Sequence, residues 1–112
     1  MRNSLGVLPL LLLGLPTTGE AAGDADKGKP IFVAQCASCH GKAGDGNGPA
    51  GKALTPRPRA FTKADLPTDE KMASVIQKGG KANGLSADMD AYPALSDQQV
   101  ADVIAYIKTL AK

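Results

Sequence analysis

Cys36-Ala37-Ser38-Cys39-His40 is the stretch that decides the reading of this chain. It holds both cysteines and the only histidine of the 112 residues. Cys36 and Cys39 are three positions apart, so one helical turn carries both thiols to the same side. His40 follows at once, and its imidazole can reach a metal from that side. Each thiol can add across a vinyl group of haem to form a thioether, and the imidazole can bind the iron. The pattern therefore reads as the attachment site of one covalent haem c. A zinc site wants about four protein ligands, and two cysteines with one histidine fall short. A thioredoxin-like dithiol sits in a βαβ context, which this sequence lacks. A disulfide across two intervening residues would close too short a loop to stabilise much.

Upstream of the motif lies a leader. Met1 to Ser4 carries Arg2 as its only charge, and Leu5 to Leu15 is an uncharged run of 11 residues. Thr17, Thr18, Gly19, Ala21 and Ala22 then supply small residues. A basic start, a short apolar core and a small-residue exit describe a secretory signal peptide. The run is shorter than the ~20 residues needed to cross a bilayer, and Pro9 and Pro16 also oppose a lasting membrane helix. Residues 1–22 are expected to be removed, leaving a periplasmic domain at 23–112 with no transmembrane segment. Losing Arg2 and Glu20 together leaves the net charge at +2. So mild a balance does not suggest nucleic-acid binding. A mature chain of this size, without tryptophan, is marginal for a self-sufficient core. It needs a staple, a metal or a cofactor inside.

Helical signals appear at three places. Residues 24–41 form a first unit, which Asp24 or Asp26 can cap. Pro30 removes an amide donor there, so the helix either starts at Pro30 or kinks at it. Thr68 to Lys78 reads as a short helix with Thr68 as cap, Asp69 and Glu70 in the first turn, and Met72, Val75 and Ile76 as its apolar stripe. Ser96 to Ala111 is the clearest helix. Ser96 and Gln99 form a capping-box pattern, Leu95 and Val100 can pin the helix start, and Val100, Val103, Ile104, Ile107 and Leu110 line one face. Between them lie 41–65, rich in glycine and proline, and a second loop at 80–94. A structureless loop as long as the first is unusual in so small a domain unless it wraps something. No strand is expected.

The second axial ligand of the iron must come from outside the motif. Met1 leaves with the leader, Met72 lies on an apolar helical stripe and reads as core filler. Met89 sits in a loop between Asp88 and Asp90, where an apolar side chain is poor filler and a sulfur can swing toward a metal. Methionine favours ferrous iron, so His40/Met89 ligation would raise the potential, as a carrier requires. The other ring nitrogen of His40 needs an orienting partner. Backbone carbonyls of the glycine-rich loop are the candidates, Pro49 first among them.

Over residues 24–112 the chain closely resembles class I cytochromes c, the small monohaem proteins of bacteria. Gly28, Phe32, Cys36, Cys39, His40 and Gly41 match the N-terminal pattern of that family, and Tyr106 matches the aromatic of its C-terminal helix. Gly48-Pro49 matches the segment whose proline carbonyl accepts the histidine proton, and Met89, six residues before Leu95-Ser96, matches the axial methionine. The resemblance implies an all-α fold of three to four helices with glycine-rich loops wrapped around one haem. It also implies that Gly28 and Phe32 pack against Val103 and Tyr106 where the terminal helices cross. Many members have proline directly after the axial methionine; here Asp90 stands there, which leaves the loop less rigid. Pro30 is also unusual.

The function expected is single-electron transfer rather than enzymatic turnover, by a monomer serving a donor reductase or an acceptor oxidase. Residues 42–81 carry eight lysines and arginines against four acidic residues, a surface that would steer acidic partners if it rings the haem edge. Two rivals stand beside this. A docking module or subunit of a larger oxidase or reductase would share the haem chemistry without diffusing freely. An open-site haem enzyme or gas sensor would require Met89 to be off the iron.

Overall fold

Asp24 sets the first helix. In the computed structural model, which describes residues 22–112, its carboxylate accepts hydrogen bonds from the amides of Asp26 and Lys27 at the head of α1, Ala25–Gln35. The helix therefore starts before Pro30 rather than at it, and Pro30 lies exposed inside it. The leader, apart from Ala22, falls outside the described residues.

The first unit also breaks earlier than its pattern suggests. Cys36 leaves helical geometry with φ −119°, and a separate single turn, α2, runs over Ala37–His40. Helix α3 spans Asp69–Lys78 under a Thr68 cap, and α4 spans Asp97–Leu110 under the Ser96/Gln99 capping box. Single 3₁₀ turns at Gly51–Ala53 and Lys81–Asn83 fall in segments whose composition reads as plain loop. No strand occurs among the described residues.

Helices α1 and α4 cross at Gly28. A Cβ on that residue would strike the Asp102 carbonyl and the Val103 amide, so the two backbones meet directly. Phe32, one turn on, is fully buried and stacks at a tilt on Tyr106, with ring centroids 5.4 Å apart. Val100, Val103, Ile104 and Ile107 of α4 complete the core with Met72 and Ile76 of α3.

Asp102 is buried at the same crossing, although helical spacing places it off the apolar stripe of α4. Its Oδ1 accepts from the Asp24 amide at 2.8 Å and from Gln98 Nε2 at 3.0 Å, tying the head of α1 to α4. The Asp24 amide first, then Gln98 and Lys27, hold this carboxyl below the usual range, although its burial opposes them. A depressed folded pKa gives stability that is present above the unfolded value, near 3.9, and is lost as pH falls through the folded one. Asp102→Asn is expected to unfold more easily than wild type at neutral pH and to lose less on acidification below about pH 4. Denaturant unfolding of the holoprotein at the two pH values checks this; equal acid losses would contradict it.

Candidate haem site

The motif is a single helical turn braced from outside. Within it, His40 donates its amide to the Cys36 carbonyl at 2.9 Å, and Gly41 to Ala37 at 2.8 Å with φ 84°. So short a helix leaves its last carbonyls without internal partners. The glycine-rich loop supplies them. Ala50 donates to Ser38 at 2.8 Å, Gly48 to Cys39 at 3.2 Å and Gly46 to His40 at 2.8 Å. Side chains at Gly48 and Gly51 would collide with the carbonyls of Ser38 and Cys39, which explains why this loop is built from glycine. The composition that reads as irregular is thus a backbone sleeve around the haem motif.

Cys36, Cys39 and His40 open onto a cavity of about 480 Å³. The loop after the sleeve lines it with Leu54, Pro56, Arg57, Pro58, Arg59 and Phe61. Helix α3 contributes Met72, Val75 and Ile76, while Phe32 and Ile107 enter from the crossing helices. The later loop adds Leu85 and Met89. Met89 thus shares the cavity with the motif, half-buried. Met72 lines it too, but as a buried member of the core.

The imidazole of His40 stacks on Phe61 with centroids 5.0 Å apart and planes at 19°, and Phe61 in turn meets Phe32 at 6.4 Å. Burial pushes the His40 pKa below its ordinary value, with the Arg59 backbone opposing. A neutral ring is the form that ligates metal. Its Nδ1 is buried with no hydrogen-bond partner. The Pro49 carbonyl therefore does not hold that nitrogen here. Pro49 is exposed and off the cavity, in a turn whose amides are spent on the motif's carbonyls. Burial, with Cys39 beside it, pushes the Cys36 thiol up to about 11. A thiol held protonated is a poor nucleophile for disulfide exchange, which disfavours a redox-dithiol reading.

Arg57, Arg59 and Phe61 are parts of the site that periodicity does not reveal. Arg57 donates to the Asn47 amide oxygen and Arg59 Nη1 to the Asp65 carbonyl at 3.1 Å. Both guanidiniums thus bond neutral oxygens, and the only ion pair among the described residues joins Lys108 to Asp69 at 2.8 Å. Two such cations beside an apolar cavity suit a ligand that is apolar in body and carries acids. No three His, Cys, Asp or Glu side chains among the described residues converge to hold a bare metal ion. The cavity lies in the size range of cofactor pockets. With two thiols and a buried imidazole opening onto it, it fits a haem.

Comparisons with known proteins agree. A family model described as Cytochrome c matches residues 25–111. Cytochrome c-554(547) of Halothiobacillus neapolitanus is 36% identical over 99 residues, covering 80% of this chain and 99% of its own. A chain in the solved Kuenenia stuttgartiensis reducing HAO-like protein complex Kustc0457/Kustc0458 superposes with a TM-score of 0.69 at 27% identity. That match covers 84% of this chain but 46% of the other, so this chain spans less than half of that neighbour.

Proposed function

The chain belongs to the cytochrome c family and carries covalent haem c for electron transfer, and from that premise we propose that it is a freely diffusing periplasmic carrier of single electrons. One observation carries the reading: Cys36, Cys39, His40 and Met89 line one largely apolar cavity. Haem iron bound there supplies the ferric–ferrous couple. Cys36 and Cys39 would anchor the group as thioethers, and His40 and Met89 would hold its iron. Phe32, Phe61, Met72 and Ile76 exclude water, and a low dielectric disfavours the more highly charged ferric state. Arg57 and Arg59 would hold the haem carboxylates. Residues 1–22 act as the export signal that brings the chain to the compartment.

A filled sixth position makes Met89 the residue to test. Met89→Ala is expected to lower the reduction potential, abolish the weak far-red band of ferric iron–sulfur ligation and let the ferrous protein bind carbon monoxide. Met72→Ala is expected to keep the band and cost roughly 2–5 kcal/mol of stability. Potentiometry and denaturant unfolding of both variants check this; exchanged phenotypes would move the ligand to Met72.

The Kuenenia neighbour favours a second reading, in which a fold of this kind works inside a larger redox assembly. Against it stands the Halothiobacillus relative, which this chain matches along 99% of its length. Size-exclusion of the periplasmic fraction separates the two. A carrier elutes as a lone small protein, and a module co-elutes with its partner chains.

A further inference from the structure

Met89 is held by backbone contacts with one pair of glycines. Its carbonyl accepts the Gly80 amide at 3.0 Å, and a Cβ on Gly79 would lie 3.1 Å from that carbonyl. A Cβ on Gly80 would lie 3.0 Å from Met89 Cβ. The Met89 amide donates to Ser86 and the Tyr92 amide ties the loop to Ile76 of α3, but the place of Gly79 and Gly80 sets how closely Met89 can pack on the end of that helix.

Asn83 fixes those two glycines. Its side-chain Nδ2 donates to the Gly79 carbonyl at 3.0 Å, and its own amide donates to the Gly80 carbonyl at 3.0 Å. Its other attachments run to α3. Oδ1 accepts the Ser74 hydroxyl at 2.8 Å, and the Asn83 carbonyl accepts Lys71 Nζ at 3.1 Å. One half-buried residue thus bridges the rigid helix and the turn that carries Met89.

We propose that Asn83, braced by Ser74, is the positioning residue that keeps the Met89 sulfur in the haem cavity. The inference rests on Met89 as the axial ligand. The clamp supplies the rigidity that a proline after the methionine would otherwise give, where this chain has Asp90. Without it the pair keeps only main-chain bonds, such as those from the Gly79 amide to Val75 and from the Leu85 amide to Gly80, and neither glycine restricts the backbone by itself.

Imidazole added to ferric holoprotein replaces the sulfur only when the loop opens, so its apparent affinity reports the open fraction. Asn83→Ala deletes two side-chain hydrogen bonds and is expected to bind imidazole about 10-fold more tightly, with a weaker far-red band. Ser74→Ala should shift it less, and Ser74→Thr, which keeps the hydroxyl, should match wild type. Gln77→Ala breaks the 2.8 Å bond from α3 to Asp97 and serves as the structural control: it should melt earlier with unchanged imidazole binding. Met89→Ala sets the ceiling. If Met89→Ala binds imidazole no more tightly than wild type, the ligand assignment fails. If Met89→Ala tightens binding while Asn83→Ala and Ser74→Ala stay at the wild-type value, the positioning role of Asn83 is overturned and the ligand assignment stands.

Discussion

His40→Ala or Cys39→Ala is expected to leave no stable holoprotein. The reason lies in what the cavity asks of the fold. α3 and the loop after the motif meet α1, α2 and α4 around a space of about 480 Å³. At the cost per volume seen for buried cavities, that space unfilled is worth at most about 12 kcal/mol. The whole stability of a small domain is about 5–15 kcal/mol. The haem thus serves as the missing centre of the core, and two of the three attachments are removed one at a time by these variants. Haem staining after denaturing electrophoresis and far-ultraviolet circular dichroism read the result. Loss of stain together with loss of helix is expected; an apoprotein with native helix content would contradict it.

Gly28→Val is expected to have the largest effect of any change that leaves the haem site intact. Its new side chain would meet main-chain atoms of Asp102 and Val103, which cannot rotate away. Separating α1 from α4 would also unstack Phe32 from Tyr106 and pull Asp24 from Asp102. A loss exceeding about 3 kcal/mol follows, beyond the ordinary range for overpacking, because backbone rather than side chain must yield. Gly84→Ala is the comparison. Gly84 has φ 73° with nothing near its missing Cβ, so only backbone strain is added, about 1–2 kcal/mol. Thermal unfolding of the two holoproteins should rank them in that order; a Gly28→Val protein melting with wild type would show that the crossing is not a close one.

Local chemistry was legible in the sequence where it depends on neighbours in the chain. The three caps at Asp24, Thr68 and Ser96 each rest on a side chain and an amide two or three residues away, so spacing reveals them. The motif is legible for the same reason. Contacts between distant segments are not. Asp102 lies off the apolar stripe of α4 yet is buried, because its partner is the Asp24 amide, 78 residues earlier, and no periodicity records that. The start of α1 was obscured by Pro30, whose local penalty is outweighed by the Asp24 cap and the packing of Phe32. In the site, Phe61 and the two arginines lie in an irregular loop where no repeat marks the inward side. Gly48 of the Gly48-Pro49 segment packs on the motif, a contact between segments that composition does not show.

A carrier of this kind requires an iron closed on both sides, by His40 and Met89. Absorption spectra of the purified holoprotein, oxidised and then reduced with carbon monoxide present, test this directly. The expected result is a weak far-red band in the ferric protein and a ferrous spectrum unchanged by carbon monoxide. A missing band with ready carbon monoxide binding would mean an open iron, and the chain would then be a ligand-binding haem protein rather than a carrier.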